Sequence, residues 1–228
     1  MKQLREFLKR TRARVYSRYE KKQLRNKPFI LVANNCWGYN LYESLGREYN
    51  TPFVGLFLHP ECYLRLLENF DEYLGSELSF GNTTRYSTRQ THYPVGYLRD
   101  VEIHFLHYKS AEEALAKWQR RLARMNQARA QGVDCYFKLC DREGCTYEQL
   151  QRFHALPQKM KLSLGIHPFP APGHICIPWM REENSDELID GAKQFNRRYG
   201  YFDVTSWIKQ GTVERTLSAR LLSVLVLK

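Results

Sequence analysis

Six short apolar runs, spaced by stretches with helical periodicity, constrain this chain of 228 residues more than any other feature. They are residues 29–33, 53–58, 101–106, 135–139, 162–166 and 174–177. Each has the length of a strand buried on both faces and falls short of an ordinary helix. Helical patterns with recognisable starts lie between several of them. Pro60 opens one that runs through Leu64, Leu67, Phe70 and Leu74 to Gly75, with Pro at its start and Gly at its end. Ser110 with Glu113, Thr146 with Gln149 and Asn184 with Glu187 have the spacing of a capping box, in which two side chains satisfy orphan N–H groups of the first turn. Strands alternating with helices predict an α/β fold: a largely parallel or mixed sheet flanked by helices, with Rossmann-like layering and a basic N-terminal helix. Residues 76–97, rich in Ser, Thr, Gly and Tyr, interrupt the alternation as a loop or an edge hairpin. The expected division is a helix at 1–27, an α/β body at 28–210 and an apolar C-terminal segment at 211–228 packed on the body.

Charge is distributed unevenly. Eleven Lys or Arg stand in residues 1–27 against Glu6 and Glu20, so this segment holds most of the formal net charge of +11. Leu4, Leu8, Val15 and Tyr19 fall close to helical spacing within it. Such a helix suits a solvated face leaning on the body, or peripheral contact with an anionic membrane surface. Nucleic acid is disfavoured as a partner, because no zinc-finger, KH or RNP signature follows. No apolar run approaches the roughly 18 residues of a membrane span, and the basic start has no apolar stretch of a secretory signal. Six Cys without a CxxC pair read as reduced thiols in a cytoplasmic protein, with no zinc site.

Five of the runs end in polar clusters: Asn34-Asn35-Cys36-Trp37-Gly38, His59-Pro60-Glu61, His107-Tyr108-Lys109-Ser110, Cys140-Asp141-Arg142-Glu143-Gly144-Cys145 and His167-Pro168. In an open parallel sheet the ligand crevice lies outside the carboxyl ends of the strands. If the strands are parallel, these clusters share a rim, although loops carry polar turn residues in any fold. Asp141 and His107 are the candidate proton acceptors. Cys36 is either a nucleophile, with His59 or His107 as its base, or a small packed hydrophobe. Arg142 and Lys109 suit phosphate charge, and Asn34, Asn35 and Trp37 suit a glycan held by hydrogen bonds and ring stacking. His59, Glu61 and His167 complete the substrate-binding set. His104 reads as a core histidine, and Arg120, Arg121 and Arg124 as a solvated helix face or, with Lys109, as a phosphate-binding group. There is no GxxxxGK[ST], GxGxxG, GxSxG or HExxH, and no Asp-x-Asp of the common metal-dependent sugar transferases. Neither a cofactor nor a metal is expected.

The ordered blocks NNCWG, EYNTPFVGLFLHPECY, YPVGYLRDVEIHFLHYKSAEEALAKWQRRLARMN and KLCDREGCTYEQL resemble the DUF1919 family. The resemblance runs from about Phe29 to about Ile208. Tyr39 stands where a second glycine often follows Trp-Gly in the family's first motif. The resemblance implies an α/β fold with mixed sheets and an association with bacterial exopolysaccharide and capsule biosynthesis, without an established activity. The expectation is a cytoplasmic transferase-type enzyme acting on a nucleotide- or lipid-linked sugar, with a non-catalytic carbohydrate- or membrane-surface-binding scaffold as its rival.

Overall fold

The computed structural model describes residues 2–81, 83–86 and 91–224. Part of the 76–97 interruption (82 and 87–90) and the end of the C-terminal segment (225–228) lie outside the described residues. The elements in chain order are α1 (Lys2–Leu24), β1 (Ile30–Ala33), α2 (Tyr39–Leu45), α3 (Pro60–Glu68), α4 (Phe70–Leu74), β2 (Leu78–Gly81), β3 (Val95–Leu98), β4 (Val101–His104), α5 (Ala111–Ala130), β5 (Cys135–Cys140), α6 (Tyr147–Ala155), β6 (Lys161–Gly165), β7 (His174–Cys176), α7 (Gly191–Asn196), α8 (Val204–Gln210) and α9 (Leu217–Ser223).

A four-stranded sheet in the order β1-β5-β6-β7 is parallel throughout, and a three-stranded sheet in the order β2-β3-β4 is antiparallel. The chain is therefore α/β, with helices packed on both faces of the parallel sheet. Side-chain alternation builds two cores. Ile30, Val32, Phe137 and Leu139 face the core shared with α3, α5, α6 and the second sheet. Leu31, Ala33, Tyr136, Leu162 and Leu164 face the other, with α1, α2, α7 and α8.

Two of the six expected strands differ from their placement in one parallel sheet. Residues 53–58 form no strand. Gly55 at φ 75 turns the backbone, and the segment then splits its partners. Phe57 exchanges both backbone hydrogen bonds with His104, at 2.9 Å each, while Leu58 N–H donates to Asn34 C=O at 2.8 Å. It thus straps the two sheets together. Residues 101–104 form β4 of the antiparallel sheet, because the two-residue turn Arg99-Asp100 folds β4 directly back on β3.

The capping signals divide similarly. Ser110 accepts from Glu113 N–H, and Thr146 with Gln149 makes a complete capping box. Asn184 starts no helix. It takes φ 57 in a turn closed by pairing of Arg181 with Leu188, and α7 begins at Gly191 with Asp190 as its cap. The helical pattern from Pro60 is two helices broken at Asn69.

The second half of α1 is built into the body. Tyr16, Glu20 and Leu24 are buried, while Arg10, Arg14, Arg18, Lys21 and Lys22 face solvent. No described helix is long and apolar enough to cross a membrane.

Candidate functional site

The parallel sheet gathers three of the five polar tips: those after β1, β5 and β6. At its centre stands a residue that the sequence reading passed over. Lys138, within the apolar run of β5, is fully buried. Its Nζ donates to Asn35 Oδ1 at 3.0 Å and to Asn34 Oδ1 at 3.4 Å, and lies 5.9 Å from the Trp37 ring. Asn35 Nδ2 donates to Cys140 Sγ at 3.1 Å, and Asn35 Oδ1 also accepts from Trp37 N–H at 3.2 Å. Asn34 Nδ2 is buried without a partner among the described residues. Gly191 closes this knot: a Cβ there would stand 2.5 Å from Asn35 Oδ1.

Burial holds the Lys138 ammonium below its ordinary 10.5, against the opposing pull of Cys140 and Asp141. The sign of the linkage follows. Between the lowered folded value and 10.5 the unfolded chain binds the extra proton, so this group favours folding progressively as pH rises through that window. Lys138→Met keeps the volume and removes the titration. The stability of the variant relative to wild type is therefore expected to be most favourable below the lowered folded value and to shrink toward pH 10.5, measured by urea unfolding. A difference independent of pH would show that the amine is not buried in solution.

Cys36 is half-buried, with its Sγ 3.8 Å from Leu56 C=O. Burial, reinforced by the charge of Asp190 and opposed by Lys138, pushes its thiol up to about 11. An activated nucleophile needs the opposite shift. Cys36 is thus packed at the end of β1, where burial works against the thiolate that a nucleophile needs. Trp37 is also corrected. It is buried among Phe195, Phe202 and Trp207, with Nε1 donating to Tyr201 Oη at 3.1 Å, and presents no face to a glycan.

Asp141 has both carboxylate oxygens engaged by backbone. Oδ2 accepts from Ile166 N–H at 2.7 Å and Oδ1 from Leu188 N–H at 3.1 Å. Burial raises its pKa and these two bonds oppose the rise. Its evident work is to tie the tips of β5 and β6 to the 182–190 turn. Arg142 is held in that turn, donating to Leu188 C=O at 2.7 Å and Glu182 at 3.3 Å, with Glu143 at 3.4 Å. Glu187 accepts from Gly144 N–H at 2.7 Å. This part of the rim is acidic, a surface that accepts hydroxyl hydrogens and repels phosphate.

The remaining candidates are dispersed. His59 precedes α3, stacks on Tyr86 with ring centroids 3.7 Å apart, and is held below its usual value by burial. It lies 5.2 Å, ring to ring, from His104, whose Nε2 stands 3.0 Å from the buried Glu102 carboxylate without hydrogen-bond alignment. Glu61 joins α3 to α6 through Arg152 at 2.7 Å, and this partner lowers its pKa. His167 is exposed beside Asp186 at 3.2 Å. Lys109 is exposed, its N–H donating to Glu113 at 2.8 Å. Among the described residues no cluster of three or more His, Cys, Asp or Glu is arranged to hold a metal ion.

His107 leads to a cavity of about 220 Å³. It is lined by His107, Tyr39, Tyr49, Val54, Gly55, Tyr108, Lys117 and Arg121. Arg121, read from the sequence as solvated or phosphate-binding, is buried: it donates to Tyr108 Oη at 2.6 Å and lies 4.9 Å from the Tyr49 ring centroid. Lys117 Nζ lies 5.4 Å from the Tyr108 ring centroid. Gly55, at φ 75, gives room for the close approach of Tyr108 and His107. The cavity adjoins the tip of β1, since Leu56 C=O faces Cys36 and Tyr39 opens α2 directly after the 34–38 loop.

The family model described as a domain of unknown function, DUF1919, matches residues 7–209. The chain belongs to the DUF1919 family. An uncharacterized protein of Haemophilus influenzae (strain Rd) is 37% identical over 189 residues, which is 82% of this chain and 86% of the relative. The match starts well before Phe29, so the DUF1919 domain includes the buried half of α1. That agrees with Tyr16, Glu20 and Leu24 being part of its core. In this DUF1919 chain, Lys138 and the tyrosines of the cavity are the residues that sequence reasoning missed. A lysine inside the run Cys-Tyr-Phe-Lys-Leu-Cys was the one visible signal.

Proposed function

We propose that the protein is a transferase-type enzyme of exopolysaccharide or capsule synthesis, acting on a nucleotide- or lipid-linked sugar in the cytoplasm. The observation that carries this reading is the tyrosine-lined cavity with Lys117 and Arg121 in its wall and His107 on its lining. Tyrosine rings stack on sugar faces, guanidinium and ammonium groups neutralise phosphate, and an imidazole takes a proton from an attacking hydroxyl. In this reading His107 is the base, Arg121 and Lys117 bind the phosphate, and Asn34, Asn35 and Asp141 position the loops around the cavity. The acidic turn with Glu143 and Glu187 suits acceptor hydroxyls.

The test is a melting-point shift with a panel of nucleotide sugars, followed by transfer assays on His107→Ala and Arg121→Gln. A specific shift in wild type, lost in Arg121→Gln, is expected. His107→Ala is expected to keep binding and lower the transfer rate by roughly 100-fold or more. His107 is exposed, so loss of folding does not confuse the result. An unchanged rate in His107→Ala would remove it as the base.

A scaffold that docks on an anionic membrane has its own supporting observation, the solvent-facing Arg10, Arg14, Arg18, Lys21 and Lys22 of α1. Deleting residues 1–27 cannot test it, because buried Tyr16, Glu20 and Leu24 go with the charge. Charge removal at the exposed positions can. Each Lys or Arg contributes on the order of 1 kcal/mol at such a surface, so a Gln variant at Arg10, Lys21 and Lys22 is expected to leave anionic vesicles at lower salt than wild type. Equal retention would refute membrane docking by this helix.

A further inference from the structure

A second cavity, of about 660 Å³, shares no lining residue with the tyrosine-lined one and lies between α1, α2 and the 196–198 turn. Arg12, Arg14, Arg18, Asn40 and Asn196 line it, with Glu43 as an acid in the wall. Glu43 is engaged by the Tyr49 hydroxyl at 2.9 Å. Arg198, also on the lining, is neutralised by the buried Glu20 at 2.5 Å. No carboxylate among the described residues pairs with Arg12, Arg14 or Arg18 within ion-pair distance.

Arg12 is the telling group. It is half-buried, and besides the Tyr16 hydroxyl the charges acting on it are the guanidiniums of Arg197 and of Arg198, the latter paired with Glu20. Burial and these two like charges lower its pKa. A partly desolvated cation without a carboxylate of its own costs stability unless an anion completes the arrangement. A helix that needed only solubility would turn this arginine outward, as it does Arg10 and Lys21. The neutral donors of Asn40 and Asn196 supply the directional contacts that phosphate oxygens accept.

We propose that this cavity is a binding site for a phosphate-bearing ligand, held by Arg12, Arg14 and Arg18. It is independent of the transfer reading: neither His107 nor Arg121 takes part. The shared chemistry is a phosphate or diphosphate ester, carried either by a soluble metabolite or by a lipid headgroup at the membrane face.

The test uses the full-length chain in a phosphate-free buffer. Inorganic pyrophosphate is titrated by calorimetry and by melting-point shift against wild type, Arg12→Gln, Arg14→Gln and, as an exposed control outside the lining, Arg220→Gln. Wild type and Arg220→Gln are expected to bind and to melt higher with pyrophosphate. Arg12→Gln is expected to bind roughly 10-fold more weakly or worse, and to melt at or above the wild-type temperature without ligand, since a repelled charge is gone. A purely structural arginine would do the reverse and lower the melting point. Should Arg12→Gln fail to fold, the exposed Arg14→Gln carries the same binding readout. Phosphatidylcholine vesicles containing phosphatidic acid form the second arm. Vesicle retention competed away by pyrophosphate and weakened in Arg12→Gln assigns the site to a headgroup; pyrophosphate binding without vesicle retention assigns it to a soluble ligand. Absence of binding in both arms, or equal pyrophosphate affinity in Arg12→Gln and wild type, overturns the proposal.

Discussion

Glu20→Ala is expected to cost about 3–5 kcal/mol of folding free energy, the penalty for leaving a buried charge without its partner. Glu20 is fully buried on the inner face of α1, and one oxygen accepts from Arg198 Nε at 2.7 Å and Tyr199 Oη at 2.9 Å. The other accepts from Ser44 Oγ at 2.6 Å. One carboxylate therefore joins α1 to α2 and to the 198–200 turn. Arg198 is itself almost fully buried, and lies 4.1 Å from the Phe195 ring centroid and 4.8 Å from that of Tyr16. Without Glu20 its guanidinium has ring faces and the Phe195 carbonyl but no counter-charge. For a chain of this size the loss amounts to roughly 6–20 °C in melting temperature. The double variant Glu20→Ala with Arg198→Met is expected to recover part of the loss, because the orphaned charge is then gone. A loss below about 1 kcal/mol for the single variant would place the pair in the class of solvated surface bridges and detach α1 from the core.

Trp37→Ala is expected to be of similar size, about 3–5 kcal/mol, through the cavity left in a packed aromatic cluster. Trp37 meets Phe195 and Trp207 edge-to-face, at centroid distances of 5.0 and 6.1 Å. Its removal also strips Tyr201 Oη of a donor, although that hydroxyl still donates to Gln194 C=O at 3.2 Å. Trp37→Phe keeps most of the apolar contact and is expected to lose clearly less. Urea unfolding of both variants measures this. A stacking residue for a ligand would behave otherwise: its alanine variant would keep its stability and lose ligand affinity. Near-wild-type stability in Trp37→Ala would return Trp37 to the glycan-binding set.

Much of the scaffold is legible in the residues. The runs at 29–33, 135–139, 162–166 and 174–177 become the parallel sheet, since apolar stretches of this length flanked by helices have one economical packing. Ser110 and Thr146 cap the helices their spacing announces, because capping is decided within one turn of chain. Residues 53–58 and 101–104 misled for a physical reason. Apolar composition reports burial, not direction or partner, and a glycine at positive φ in one case and a tight turn in the other redirected the backbone. Asn184 with Glu187 matched a cap that the 181–188 pairing pre-empted.

The candidate site was less legible. Cys36, Asp141 and Trp37 stand where the strand-end argument puts them, yet their environments give them structural work. What the sequence determined by itself was local: strand lengths, helix starts, the concentration of positive charge in α1 and the family to which these blocks belong. Tertiary structure alone decided which charges are buried. The burial of Lys138, Arg121 and Glu20 is fixed only when distant segments enclose them, because desolvation depends on everything packed around a group and not on its neighbours in the chain.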